Sequence, residues 1–490
     1  MILMNGKKFC ILTFGCQMNY SDSARIKAML LNCGFSYVEK EEEADIIIFD
    51  TCSVRQKAED KITGKLKDID PTKKIRLTGC MIQHCFRNNF TPNVPANLKK
   101  GNFIGRAKTN LPQVIGFDNE EVKEIKEKKK ADLDSMVFVN HAFNPLFHEL
   151  HQTYPNLELF FRIDDVGFLP LIVKELWYKC SYDSSLVNEY EKILPLESAS
   201  MNAHKKTAYV PISSGCNQFC AYCIVPFARG LERYFSVEEI LAEVQFHIDH
   251  GAEEIVLLGQ IVNKHPDFFT LLQKILQIKG LKWLRYTSPY PTFYTPEILA
   301  LHEQEEKLCP HIHIPFQSGN SNVLKRMFRG YDAQQCYQFI DSIRSLKREI
   351  SITTDFIIGF PWETEEEFDD SLKLVEYARF DMIYMGIYST RPGTFASKQY
   401  QDDVSPEIKH ARREKMNDLL KRISTENNQK EIWLTRTMII NEIQGSTVFG
   451  YTDNMKQICA SCSKKVELWE IVPVKIIGGG EFKLEGEIIL

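Results

Sequence analysis

Apolar runs and amphipathic stretches alternate along this chain. Residues 8–14 (Lys-Phe-Cys-Ile-Leu-Thr-Phe) form a buried strand pattern ending at Gly15, and Ser21 to Leu31 sets Ala24, Ala28 and Leu31 on one helical face. Asp45-Ile-Ile-Ile-Phe-Asp50 reads as a second strand, a helix follows through Val54–Leu66, and Ile75-Arg-Leu-Thr-Gly79 reads as a third strand. Strands alternating with helices predict an open parallel α/β sheet. The pattern breaks over 86–140, where polar loop residues and the charge run 120–130 read as an insertion with a solvated helix face. A strand resumes at 155–161, and Phe168–Leu176 has a helical pattern.

Six further apolar runs follow at βα spacing, at 207–212, 254–258, 283–287, 311–315, 354–358 and 383–388. Ser236-Val-Glu-Glu239 and Thr364-Glu-Glu-Glu367 are capping boxes that start two of the intervening helices. Six such units predict a partial (β/α)6 barrel, with its active site at the carboxyl ends of the strands. Lys409, Arg412, Arg413, Lys415, Lys421 and Arg422 then make a basic helical stretch, either a solvated face or a phosphate-contacting ridge. Strand patterns at 437–442, at 466–472 and up to Leu490 suggest a small β-barrel. The expected organisation is a multidomain α/β chain. It has a first domain at 1–180 carrying the insertion, a linker at 181–206, the partial barrel at 207–424 and the small barrel at 425–490.

Composition sets this pattern in an ordinary globular protein, with 44% hydrophobic and 26% charged residues. The net charge of −5 gives no global attraction to nucleic acid, so any RNA binding must come from local patches. No apolar run is long enough to span a bilayer and the first residues lack a signal peptide's apolar region, so a cytoplasmic protein with no membrane partner is expected. Fourteen cysteines in such a chain argue for metal ligands in a reducing compartment.

The densest chemistry lies in Ser214-Gly-Cys-Asn-Gln-Phe-Cys-Ala-Tyr-Cys223. Three thiolates on one tight loop, Cys216, Cys220 and Cys223, can hold three irons of a cubane cluster and leave the fourth open, with Tyr222 as an apolar wall. A structural zinc site would want four ligands. In the first domain Cys16, Cys52 and Cys80 each follow a strand. Ligands gather beyond the carboxyl ends of strands in open α/β sheets, so these three are able to converge on a second site. Cys10, Cys33 and Cys85 read as core residues or decoys, and Cys459 with Cys462 as a surface thiol pair. Past the barrel strands come Gly259, Gln260 and Asn263, then Gln317-Ser318-Gly319, Gly359-Phe-Pro361, and Ser389 with Arg391-Pro-Gly393. Their glycines let backbone approach a ligand, and their amides and hydroxyls suit an amino acid or a ribose.

CxxxCxxC after the first strand of a partial barrel resembles the radical S-adenosylmethionine (SAM) superfamily. Gly15-Cys-Gln-Met-Asn19 with Asp22-Ser23, Thr51-Cys-Ser-Val-Arg55 and Gly79-Cys-Met-Ile-Gln83 resemble the methylthiotransferases within it. So do Ile224-Val-Pro226, Arg229-Gly230, Gly259-Gln260, Gln317-Ser-Gly319 and Tyr388-Ser-Thr-Arg-Pro-Gly-Thr394. The likeness covers nearly the whole chain except 86–140. Cys-Gln-Met-Asn is similar to the branch acting on N6-isopentenyladenosine in tRNA, in contrast to those acting on threonylcarbamoyladenosine or on ribosomal protein S12.

The resemblance implies a SAM cluster at Cys216, Cys220 and Cys223 and an auxiliary 4Fe–4S cluster at Cys16, Cys52 and Cys80. It also implies SAM among Tyr222, Gly259, Gln260, Asn263, Gln317, Ser318 and Ser389, and an RNA-binding, OB-like TRAM domain at the end of the chain. Its expected partners are the tRNA anticodon loop, an electron donor such as flavodoxin or ferredoxin, and a sulfur donor, with the enzyme a monomer. No protein general base stands out. A non-catalytic RNA-binding protein with structural metal sites is the alternative from another class. Departures from the family pattern fall at Tyr234-Phe235, Ile261, Ser288-Pro-Tyr-Pro291, Trp362 and Tyr451, the last read as a missing cationic contact to RNA.

Overall fold

The computed structural model describes residues 7–32, 34–52, 56–82, 145–161, 163, 166 and 206–489. The expected insertion at 86–140, the helix at Phe168–Leu176 and nearly all of the 181–206 linker lie outside the described residues. By compactness the chain divides into two units, one holding residues 1–201 with Phe227–Gly230, the other 202–226 and 231–490.

The first unit is built on five parallel strands. They are β1 (Lys8–Thr13), β2 (Ser36–Tyr37), β3 (Ile46–Thr51), β4 (Lys74–Gly79) and β5 (Leu157–Phe160), in the order β2-β1-β3-β4-β5. Every residue of β3 is buried, as expected for a central strand covered on both faces. Two helices are α1 (Gln17–Asn32) and α2 (Gln56–Asp68), and a third, α3 (Pro145–Thr153), precedes β5. Helix α1 starts four residues before the apolar periodicity predicts, because its first turn is anchored on Cys16: the N–H groups of Asn19 and Tyr20 both donate to the Cys16 carbonyl.

In the second unit all six expected strands are present: β6 (Thr207–Pro211), β9 (Glu254–Leu258), β10 (Trp283–Tyr286), β11 (His311–His313), β12 (Ser351–Ile358) and β13 (Met382–Ile387). Two short strands, β7 (Ser213–Ser214) and β8 (Arg233–Tyr234), pair across the cysteine loop. Strands β6, β9 and β10 form one parallel sheet and β11, β12 and β13 another, joined by a bridge from Leu284 to Leu308. The six therefore lie side by side in chain order. Both capping boxes form, with Ser236 and Thr364 accepting from the N–H of Glu239 and Glu367.

A closed barrel ends the chain: β14 (Thr435–Gln444), β15 (Thr447–Thr452), β16 (Gln457–Ser461), β17 (Ile471–Gly479) and β18 (Lys483–Ile488). The strand predicted at 466–472 begins only at Ile471. Trp469 has φ +68 and Glu470 N–H turns back onto the Glu467 carbonyl, so this apolar alternation belongs to a turn.

The basic stretch after β13 is a solvated face only in part. It lies on a helix spanning Pro406–Lys430, but Lys409 and Arg412 are buried. Lys409 pairs with Asp402 at 2.5 Å, Arg412 with Glu363 at 3.1 Å, and Lys415 with Asp369 at 2.8 Å. Arg422 bonds Glu376 and Glu426. Lys409 and Arg412 thus hold the helix to acidic neighbours, while Arg413, Lys415 and Arg422 are exposed on its solvated face.

Tyr451 has partners within the chain. Its hydroxyl donates to Glu254 at 2.7 Å, and the same buried carboxylate receives Thr207 Oγ1 at 2.6 Å and Arg285 Nε at 2.8 Å. Arg285 also reaches the carbonyls of Thr452 and Asp453. The tyrosine therefore fastens the small barrel to the six-stranded sheet. Tyr451→Phe should cost about 1–3 kcal/mol in urea denaturation, because a fully buried carboxylate loses one donor.

His302 offers a pH test of the same unit. It is 1% exposed, Tyr286 Oη lies 2.5 Å from its Nε2, and burial, reinforced by Arg348, pushes its pKa down to about 3. Below the ordinary value of about 6.5 the unfolded chain takes up a proton that the folded one refuses. The stability contributed by neutral His302 is thus complete above about 6.5 and falls by roughly 1.4 kcal/mol per pH unit as pH drops towards 3. His302→Gln should flatten the pH dependence of unfolding by that slope between pH 6 and 4.

Candidate metal centres

The sheet order brings the first cysteine trio together. Cys16, Cys52 and Cys80 follow β1, β3 and β4, which are consecutive neighbours, and adjacent strands lie about 4.8 Å apart. Cys52 and Cys80 are buried while Cys16 is exposed. Burial pushes the Cys80 thiol up to about 12, with Cys52 and Cys16 adding to the shift and Arg229 opposing it. Cys80 therefore stands in the field of the other two thiols. Among the described residues no group of three donors closes around a single ion. A cubane asks for something else, since its sulfur ligands sit on different irons.

Glycines make these corners possible. Gly79 has φ +95, and a Cβ there would lie 2.2 Å from the Thr51 carbonyl oxygen, so only glycine lets β4 press against β3 just before Cys80.

A polar frame, which sequence reasoning missed, supports the trio. Asn19 Oδ1 accepts from Cys16 N–H at 3.2 Å, and its Nδ2 donates to Asp50 at 2.9 Å and to the Thr51 carbonyl at 3.2 Å. Ser23 Oγ reaches the other Asp50 oxygen at 2.9 Å and Thr13 Oγ1 at 2.7 Å. Burial, then the charge of Asp22, pushes the Asp50 carboxyl well above the usual range. Asp22 in turn is paired with Arg229 at 2.6 Å, both almost fully buried. Burial works against the guanidinium's charge, but the fields of Asp22, Cys80 and Cys16 outweigh it and push its pKa up. Asn19, Asp22, Ser23 and Arg229 were visible only as motif letters. Asp50 had no signal beyond its place at a strand end.

The second trio sits on the loop after β6 in the other unit. Gly215, before Cys216, has φ +78. Burial pushes Cys216 up to about 11 and Cys223 further, with Cys220 adding to both shifts. Ala221 N–H donates to the Met327 carbonyl, and Gln218 Nε2 to Tyr290 Oη at 3.1 Å. Tyr290, one of the departures, also accepts from Gly330 N–H at 2.8 Å and lies under the Arg329 guanidinium at 4.5 Å. Arg329 Nη1 is 3.4 Å from both Cys220 Sγ and Tyr222 Oη. The half-buried guanidinium thus supplies a positive charge and a donor beside the cysteine loop. Arg329 was missed because a lone arginine after a helix carries no spacing signature.

The remaining rim residues divide. Gly259 and Gln260 follow β9, and Ser389 is exposed after β13. Gln317 has φ +77 and pairs by backbone with β12, a strained conformation of the kind held at functional sites. Asn263 is buried with both ends of its amide bonded to the Tyr290 main chain, at 3.0 and 2.8 Å. Ser318 is buried against Ser371 Oγ at 3.3 Å and accepts from Asn320 N–H. Through these bonds both side chains help to shape the rim. Trp362 stands at φ +65, where a glycine would be unstrained, and its ring packs on Tyr400 at 4.8 Å.

Comparison with known proteins follows the same division. Residues 210–375 match the radical SAM superfamily, and residues 8–93 match an uncharacterized protein family, UPF0004. The fold and the match over 210–375 define a radical SAM enzyme. A tRNA-2-methylthio-N(6)-dimethylallyladenosine synthase of Clostridium perfringens is 30% identical over 505 residues, 99% of this chain and 98% of that protein. One from Clostridium botulinum is 32% identical over 503 residues, 98% and 97% of the two chains. Among solved structures, the radical SAM methyltransferase TsrM of Kitasatospora setae is 12% identical, with TM-score 0.45, over 90% of this chain and 79% of that one. The chain belongs to the radical SAM tRNA methylthiotransferases. It is a transferase whose cofactors are SAM and two 4Fe–4S clusters.

Proposed function

We propose that this chain adds a methylthio group to carbon 2 of N6-isopentenyladenosine at position 37 of tRNA. Cys216, Cys220 and Cys223 would hold the cluster that serves SAM cleavage, and Cys16, Cys52 and Cys80 would hold the auxiliary one. The observation that carries this reading is the pair of three-cysteine constellations, each at the carboxyl ends of strands in its own parallel sheet. One such site suits radical formation; two suit radical formation joined to sulfur transfer.

The C2–H of an adenine is neither acidic nor electrophilic enough for acid–base catalysis, and no side chain here is assigned as a general base. When bound, the cofactors supply one-electron cleavage of SAM and a transferable sulfur. The chain's own residues supply placement. Arg329 donates to Cys220 Sγ and to Tyr222, Tyr290 ties Gln218 to Gly330, and Gly79 and Asn19 set the corners of the auxiliary site. Gly259, Gln260, Gln317 and Ser389 offer backbone and polar groups to SAM. Position 37 lies in a single-stranded loop, from which a base is splayed out at low cost. The reading includes a cytoplasmic monomer, with an electron donor such as flavodoxin or ferredoxin and a separate sulfur donor.

The test is nucleoside mass spectrometry of tRNA from a strain lacking this gene. Isopentenyladenosine should accumulate without its methylthio group, and the wild-type gene should restore it. Retention of the methylthio group, with the loss appearing on threonylcarbamoyladenosine or on a ribosomal-protein aspartate, would overturn the substrate.

A further inference from the structure

The inner wall of the six-stranded sheet carries a second set of groups that nothing above uses. Along β11, β12 and β13, one face is sealed: Ile312, Ile352, Thr354, Phe356, Ile358 and Ile383 are all at most 4% exposed. The alternate positions form the opposite face, and among them His311, His313, Thr353, Asp355 and Tyr384 are polar. Asp355 and Tyr384 are direct cross-strand partners, as are His313 and Thr353. His313 Nε2 lies 3.2 Å from Asp355 Oδ2, His313 Nδ1 lies 3.0 Å from Thr353 Oγ1, and the Tyr384 ring stands edge-on to the imidazole at 5.7 Å. A closed barrel fills its interior with branched apolar side chains. Here Tyr384 is 48% exposed on that inner wall. Gln317 N–H donates to the Asp355 carbonyl, which puts this cluster next to the rim already described.

Thr353 and Tyr384 also line a cavity of about 380 Å³ that continues between β13 and the small barrel. Phe449 and Lys483 line its other side, with the Lys483 ammonium 4.8 Å from the centre of the Phe449 ring. The volume is at the small end of ligand pockets, roughly 300–1,000 Å³, suited to a nucleoside and far too small for a duplex. Tyr384, Phe449 and Lys483 line this cavity, while Asp355 and His313 stand beside Tyr384 on the same strand face; two aromatic rings, a cation and an adjacent carboxylate are equipment for a splayed-out base. The rings stack it, and Asp355 Oδ1 accepts an exocyclic N–H.

From this arrangement we infer that the inner-wall cluster of Tyr384, Asp355 and His313 is the receptor for the purine of a single-stranded RNA loop, with Tyr384 as its stacking platform. The inference rests on the proposed function and names the subsite where its substrate base is held. The experiment uses the full chain, reconstituted anaerobically, and an anticodon stem-loop RNA containing isopentenyladenosine. Affinity is read by fluorescence anisotropy, and iron content and cluster absorption are read in parallel. Tyr384→Ala should weaken binding about tenfold or more, the scale of one lost stacking contact, while Tyr384→Phe, which keeps the ring, stays within about twofold. Asp355→Asn should raise KM for the stem-loop with less effect on kcat, and all three variants should keep wild-type iron and absorption. If Tyr384→Ala binds as tightly as a wild-type chain that does bind the stem-loop, the subsite is wrong and the function stands. If the wild-type chain binds no stem-loop at all, the functional reading fails and takes the subsite with it.

Discussion

Cys80→Ala should abolish methylthiolation of tRNA while leaving reductive cleavage of SAM, read as release of 5′-deoxyadenosine, largely intact. Iron in the anaerobically purified protein should fall from about eight to about four per chain, the content of one cubane in place of two. The argument is geometric. Cys80 ends β4, beside the strand ends that bear Cys16 and Cys52, so its loss leaves two thiols for a cluster that needs three. The Cys216 loop has its own supports, in Tyr290, Arg329 and the Met327 carbonyl, and none of these contacts involves Cys80. Effects at sites without shared partners are close to additive, so the two activities should separate. Cys220→Ala makes the opposite cut: both 5′-deoxyadenosine and product should vanish. A Cys80→Ala protein that keeps about eight irons and still methylthiolates would sink the assignment of the auxiliary site.

Much of this was readable because local chemistry and strand ends coincide. A cysteine directly after an apolar run marks the carboxyl end of a strand whichever way the sheet is ordered. The six barrel runs and the two capping boxes were equally plain, since each is set by neighbours within a few residues. Strand order was not readable. That β1, β3 and β4 are adjacent is a tertiary fact, and it alone turns three scattered cysteines into a group. Charged residues misled for a related reason. Lys409 and Arg412 have the spacing of a solvated face but are buried against acids 7 and 49 residues away in sequence, Asp402 and Glu363. The bond of Tyr451 to Glu254 left no trace in the sequence, because the two are 197 residues apart. Arg329 and Asp50, the two site groups missed outright, act through a sulfur and an amide brought to them by the fold.

Breaking the Arg229–Asp22 pair should be the most destabilising single change in the first unit outside its apolar core. Arg229 lies on the short helix Val225–Arg229, only six residues after Cys223, yet it is grouped with the first unit, where it meets Asp22 at 2.6 Å. Both side chains are about 5% exposed, so the pair is screened by protein and not by water. Arg229→Met would strand the Asp22 carboxylate beside buried Asp50, and loss of one partner of a buried pair costs about 3–5 kcal/mol. Asp50 adds to that cost, because its own carboxyl already sits in the field of Asp22. Hydrogen exchange of the β1, β3 and β4 amides, followed by mass spectrometry, should show the loss as faster opening of that sheet. The double variant Arg229→Met, Asp22→Asn should recover part of it, since it removes the uncompensated charge as well as the cation, and the difference between single and double variants measures the coupling. A cost below about 1 kcal/mol for Arg229→Met would place the pair with exposed salt bridges and would remove the guanidinium from the forces that hold the Cys16 and Cys80 corners.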